Sequence, residues 1–179
     1  MKEVYFVTGN QKKADYLSAL IGHEIEHVKV DVDEIQSLDL QDVVEHKLEQ
    51  AYEQVKKPVL VDDVSLEFTA MGRLPGTFIK SFQAELTHEQ LCRLLDGHDR
   101  SAVARCILGY YDGTTKTYFE GALNGRVPDS PAGIAGFGWD PIFIPEGYEI
   151  TRAELSKEDD QKTYKMLKPI DDLKRFLLT

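Results

Sequence analysis

Apolar residues along this chain recur with two periods, one suited to strands and one to helices. Glu3 to Val7 reads as a short strand, and Thr8-Gly9-Asn10 as a turn that caps a helix. From Gln11 onward Ala14, Leu17, Leu20 and Ile21 keep helical spacing, with Gly22 as the stop. Ile25 to Val30 alternates like a second strand. An acidic loop, Asp31-Val32-Asp33-Glu34-Ile35-Gln36, then leads to a helix from Asp39 to Lys56 with Val44, Leu48, Ala51 and Val55 on one stripe. Pro58 ends that helix. Val59-Leu60-Val61 comes next as a short buried strand that breaks into two adjacent carboxylates, Asp62 and Asp63.

The second half continues the alternation. Leu66 to Phe68 is followed by a loop, Met71 to Gly76, and a short helix holding Lys80. Thr87-His88-Glu89-Gln90 is a capping box for a helix through Leu95, stopped near Gly97. Ser101 to Tyr111 and Thr115 to Leu123 flank Asp112-Gly113, a strong hairpin signal, and Asn124-Gly125 reads as a second turn. Gly133 to Pro141 is a glycine-rich loop, and Lys162 to Leu178 a helix interrupted at Pro169. Strands interleaved with helices make this an α/β chain, expected to form one domain over residues 1–179.

Composition narrows the function. Hydrophobic content of 42% with 29% charged residues suits a soluble globular protein. The 21 basic against 31 acidic residues give −10, which argues against a nucleic-acid backbone as partner. A small anion would need a local lysine cluster and a metal to overcome that field. Cys92 and Cys106 have no metal-ligand spacing and no disulfide framework, so they read as buried small hydrophobes of a reducing compartment. The five histidines show no ligand spacing either. The N-terminus turns polar at Thr8, too soon for a signal-peptide core, and no apolar run approaches a membrane span, so the expectation is cytoplasmic.

Three stretches carry candidate chemistry. Asp62 and Asp63 follow a buried strand, where α/β sheets present groups to ligands; in extended backbone they point in opposite directions, so one of them would aim at a site. The alternative is that they cap a turn. The loop Thr8 to Lys13 runs from strand to helix N-terminus, where free N–H groups and the helix dipole favour an anion. Lys12 and Lys13 sit there against the dipole, either compensated by a bound anion or as a solvated surface pair. Lys47 lies at the edge of its helix's apolar stripe, snorkelling or reaching into a cleft. Phe137-Gly138-Trp139-Asp140 sets two aromatics and an acid among glycines, which suits a base or cofactor pocket as well as a packed aromatic corner.

Taken together these stretches resemble the inosine triphosphate pyrophosphatase (Ham1-like) family. The matches are Phe6-Val7-Thr8-Gly9-Asn10 with Lys12-Lys13, Pro58 to Asp63, Leu74-Pro75-Gly76 with Ile79-Lys80, and Phe137-Gly138-Trp139-Asp140-Pro141 extended by Phe143, Pro145 and Gly147-Tyr148. The resemblance implies an elongated, twisted mixed sheet with helices, two lobes around a central cleft, and a homodimer. It implies Mg²⁺-dependent hydrolysis of non-canonical purine nucleoside triphosphates (ITP, dITP, XTP) to monophosphate and pyrophosphate. By the same analogy Thr8, Gly9, Asn10, Lys12, Lys13, Lys47 and Lys80 would hold the triphosphate. Glu34 and Asp63 would bind Mg²⁺, with Asp63 orienting or deprotonating the water. Phe137, Gly138, Trp139 and Asp140 would contact the base.

The chain departs from the family in two places. Val64 stands where a Ser or Thr usually follows the catalytic Asp. The family's late Ser-His-Arg triplet is absent, replaced by Thr163-Tyr164-Lys165 with a one-residue gap or by Tyr164-Lys165-Met166 without one. Losing those polar groups alters or relaxes base selectivity. These departures leave two rival readings: a divergent paralogue that binds nucleotides without turnover, and a pyrophosphatase of altered base specificity.

Overall fold

The computed structural model describes residues 2–179. Its elements run β1 (Tyr5–Val7), α1 (Gln11–Ile21), β2 (Glu26–Val28), α2 (Leu40–Val55), β3 (Val59–Phe68), β4 (Pro75–Gly76), α3 (Ile79–Glu85), α4 (His88–Arg93), β5 (Ser101–Tyr111), β6 (Lys116–Arg126), β7 (Ile144–Pro145), α5 (Lys157–Leu167) and α6 (Ile170–Leu178). Short 3₁₀ turns fall at Thr69–Met71, Asp140–Ile142 and Arg152–Glu154. The seven strands form one mixed sheet ordered β2-β1-β3-β5-β6-β7, with β4 pairing β3. β1 runs parallel to β2 and to β3, while β4 and β7 pair antiparallel with β3 and β6.

Contacts divide the chain into two compact units, each built from separate segments. The first holds residues 2–63, 106–120 and 168–179. Its helices form where their caps predict. Asn10 accepts the Lys13 N–H at the start of α1, and Gly22, at φ 75°, ends it. Asp39 caps α2, which closes at Lys56 in the left-handed region. Of the predicted stripe of α2, Val44, Leu48 and Ala51 are buried and Val55 partly so; with Leu40 they pack against Val59, Val61 and Ile107. Each fully buried Val or Leu there contributes about 1.5–3 kcal/mol. Close approach fixes one residue in the sheet beneath. A Cβ on Gly109 would lie 2.7 Å from side-chain carbons of both Val44 and Leu48.

The second unit holds residues 64–105 and 121–167. The Thr87 capping box forms as expected, and α4 packs against the 140–142 turn, which also meets the 152–154 turn. Trp139 packs edge-on against Phe143, centroids 5.4 Å apart.

Several expectations change. β3 does not end at Val61 but continues through Asp62 and Asp63 to Phe68, so the two acids stand inside a strand rather than in a turn. Asn124-Gly125 is not a turn. Both residues belong to β6, where Gly125 pairs with Pro145 and the Asn124 carbonyl accepts the Glu146 N–H. Glycine is needed there because a Cβ would meet the Ile144 carbonyl at 2.3 Å. The C-terminal helix starts five residues earlier than predicted, at Lys157, and breaks at Pro169 as predicted. Both cysteines are free and buried. Among the described residues, no helix is long and apolar enough to cross a membrane.

Candidate active site

In the first unit, successive residues of β3 present carboxylates to opposite sides of the strand, as its pleat dictates. Asp63 points toward α2 and meets Lys47, whose Nζ lies 2.5 Å from Asp63 Oδ2 and 3.2 Å from Glu34 Oε1. An acid of the loop before α2 and an acid of β3 thereby converge on one ammonium. Lys47 occupies the edge of the apolar stripe, so its stem is covered and its charged end reaches the two carboxylates. Burial alone would lower the Lys47 pKa, but the charges and hydrogen bonds of Asp63 and then Glu34 outweigh it, and the net shift is upward.

Asp62 points the other way and is buried. Lys13 Nζ lies 2.6 Å from its Oδ1, and Lys168 Nζ bonds its Oδ2. Burial opposes ionisation of this carboxylate, yet the two ammoniums, Lys13 and then Lys168, hold it well below the usual carboxylate range. Lys168 comes from the corner between α5 and α6. Sequence reading missed it, because a single lysine before a proline carries no periodic or motif signal.

The turn before α1 is compact. Thr8 Oγ1 accepts the Asn10 N–H at 3.1 Å, Gly9 and Asn10 are exposed, and the first turn of α1 carries Lys12 and Lys13 with no acid. Lys12 is exposed, whereas Lys13 is drawn toward Asp62. Cys106, fully buried in this unit, has its thiol pushed up to about 12 by burial and is chemically inert.

In the second unit, Lys80 is exposed near the start of α3. The aromatic loop is held from inside. Asp140 Oδ2 accepts the Phe137 N–H at 2.7 Å, and Gly136, at φ 84°, leaves room for that carboxylate, since a Cβ there would sit 2.3 Å from Oδ2. Arg152, almost wholly buried, lies with Nε 3.6 Å from Asp140 Oδ1 and Nη2 2.9 Å from Asp160 Oδ1. Its guanidinium carbon stands 6.0 Å over the Trp139 ring. Burial raises the Asp140 pKa against the opposing pull of Arg152 and the Phe137 N–H. Trp139 is thus committed to packing, 7% exposed, whereas Phe137 is 55% exposed and Gly138 lies on the surface beside it. Nothing local in the sequence marks Arg152 or Asp160 as partners of this loop. On α5, Thr163 and Tyr164 face inward, with Thr163 Oγ1 donating to the Asp160 carbonyl, while Lys165 and Met166 are exposed.

The donor chemistry around Asp63 suits a hard divalent cation. Glu34 and Asp63 offer carboxylate oxygens at one place, and Mg²⁺ is commonly bound by one or two carboxylates with waters and substrate phosphates completing the shell. Among the described residues no group of three or more His, Cys, Asp or Glu gathers for a metal.

Comparison with known proteins agrees with this fold. A profile of the Ham1 family matches residues 4–176. The chain is 38% identical over 177 residues to inosine triphosphate pyrophosphatase 2 of Trypanosoma cruzi, covering 96% of this chain and 90% of that one. It is 38% identical over 183 residues to the inosine triphosphate pyrophosphatase of Emericella nidulans, covering 99% and 98%. The solved structure of the Staphylococcus aureus Ham1 protein superimposes with a TM-score of 0.82 at 27% identity, covering 98% of each chain.

Proposed function

Because the chain belongs to the Ham1 family and is a nucleoside triphosphate pyrophosphatase, we propose that it hydrolyses non-canonical purine nucleoside triphosphates such as ITP, dITP and XTP, with Mg²⁺. Products are the nucleoside monophosphate and pyrophosphate. The observation that carries this reading is the meeting of Glu34 and Asp63 at Lys47, with Lys13 on the neighbouring acid. A triphosphate brings about four negative charges, which an acidic chain accommodates only with lysine donors and a divalent ion beside them.

Glu34 and Asp63 would hold Mg²⁺, which would supply charge neutralisation and Lewis acidity toward a water. Thr8 and Asn10 shape the turn, through the Thr8 N–H to the Val28 carbonyl and the Asn10 N–H to Thr8 Oγ1, so that Gly9 and the start of α1 receive phosphate oxygens, with Lys12, Lys13, Lys47 and Lys80 adding charge. Asp63 orients the attacking water and takes its proton as the new P–O bond forms and the anhydride bond to pyrophosphate breaks. Phe137 offers the exposed ring for the purine, and Gly138, Trp139 and Asp140 shape the loop that presents it. A homodimer in the cytoplasm completes the reading.

A second reading, altered base preference, is favoured by α5. Thr163 and Tyr164 turn inward, so the polar edge-reading groups of the family triplet have no like-for-like exposed replacement. One experiment decides: incubate the protein with Mg²⁺ and a panel of ITP, dITP, XTP, canonical purine and pyrimidine triphosphates, and measure pyrophosphate. Release restricted to ITP, dITP and XTP supports the proposal. Preference for a canonical or pyrimidine nucleotide supports altered specificity. Binding without release from any nucleotide sinks the catalytic reading.

A further inference from the structure

Charge is unbalanced in opposite senses on the two sides of β3. On the Asp63 side two carboxylates, Glu34 and Asp63, share the ammonium of Lys47. On the Asp62 side two ammoniums, Lys13 and Lys168, share one carboxylate. The first side is an acidic pole suited to a cation and the second a basic pole suited to an anion. The sign of the second pole depends on Lys168, since Lys13 and Asp62 alone would form a neutral pair.

The two lysines are not equivalent. The Lys13 side chain is 32% exposed and that of Lys168 only 7%. Lys168 sits at the corner between α5 and α6, where Ile170, fully buried, donates its N–H to the Lys168 carbonyl at 2.7 Å. Its ammonium is directed at Asp62 and is not presented to solvent. Lys13 lies in the first turn of α1, where the helix dipole disfavours a cation, and Asp62 retains it there.

We infer that Lys168 is a positioning residue for polyphosphate binding: it takes up the charge of Asp62, so that Asp62 tethers Lys13 without cancelling it toward the substrate. An unneutralised Asp62 would repel an incoming phosphate about as strongly as Lys13 attracts it. In a chain of net charge −10, that difference decides whether the pole is attractive at all. The inference rests on the proposed role of Lys13 in holding phosphate, and it goes beyond that role by assigning the residue that makes it effective.

The test separates it from the functional reading by using inorganic pyrophosphate as a ligand in its own right, titrated by calorimetry with Mg²⁺ beside ITP kinetics on the full chain. Lys168→Met is expected to raise the Kd for pyrophosphate and the KM for ITP by about fivefold or more, with kcat within about twofold. Lys168→Arg should keep both near wild type. Adding Asp62→Asn to Lys168→Met should recover part of the loss, because the carboxylate left unneutralised is gone. Wild-type affinity in a folded Lys168→Met, or a double variant no better than the single one, overturns the inference. If Lys168→Met does not fold, the uncharged double variant and Lys168→Arg decide: a folded Lys168→Arg with a large affinity loss shows that shape, not charge, matters. If the wild type releases pyrophosphate from no nucleotide, the functional reading fails while the pyrophosphate titration still judges Lys168.

Discussion

Asp62 and Asp63 are neighbours in sequence, yet their carboxylates belong to different ionic clusters. Asp62 is buried against Lys13 and Lys168, whereas Asp63 faces Lys47 and, through it, Glu34. The pleat of an extended strand makes this separation, and it gives each acid a distinct expected phenotype.

Asp63→Asn should lower kcat for pyrophosphate release by about 10²–10⁴-fold, the range expected for losing a general base. The fold should survive, since Lys47 retains Glu34. Circular dichroism and the urea midpoint check the second half of that statement. Full activity would remove Asp63 from the mechanism.

Metal removal should be reversible. EDTA should abolish release and Mg²⁺ restore it. Glu34→Gln should demand about tenfold more Mg²⁺ for half-maximal activity, since one of two protein carboxylates is lost. An unchanged Mg²⁺ requirement in Glu34→Gln would show that this residue does not touch the ion.

Asp62 links stability to pH. Its folded-state pKa lies below the ordinary 3.8, because Lys13 and Lys168 overcome the opposing effect of burial. Its contribution is therefore present above pH 3.8 and lost as pH falls through the folded value. At neutral pH Asp62→Asn should cost about 3–5 kcal/mol, the range for breaking a buried ion pair. That deficit should shrink as the pH is lowered below about 4, read from urea midpoints of both proteins. A gap constant with pH would contradict the ionic account.

The aromatic loop should depend on its internal brace. Arg152→Met leaves Asp140 buried without its cation, a loss of about 3–5 kcal/mol. Gly136→Ala forces a Cβ to 2.3 Å from Asp140 Oδ2 and should release Phe137 from its hydrogen bond. By contrast, a Cβ on Gly9 meets only the Lys29 stem at 3.7 Å, so Gly9→Ala should shift stability by less than about 0.5 kcal/mol. Chemical denaturation of the three variants orders them.

Most of the elements were legible because their rules are local. Asn10 and Gly22 bound α1, Asp39 starts α2, and Thr87 with Gln90 starts α4. Each is a contact between residues a few positions apart, and it leaves its mark in the sequence. The Asn124-Gly125 reading failed for the opposite reason. The dipeptide has the right turn chemistry, but pairing with β7 and the close Ile144 carbonyl recruit it into β6. The extension of β3 past Val61 has a similar origin, since its two acids find lysines on both sides instead of a turn.

By itself, then, the sequence determined the alternation of strands and helices and their caps, and it set Asp62 and Asp63 facing opposite ways on the condition that the strand continues through them, a condition the fold supplied. It also marked the lysines and the aromatic loop as candidates, through motifs whose residues lie close together. The tertiary structure decided which charges meet. It brought Lys168 to Asp62 across 106 residues, Glu34 and Asp63 to one ammonium, and Arg152 under the aromatic loop. Periodicity reports the face a residue lies on, but the partner across that face is set by how the elements pack, and packing is a property of the whole chain.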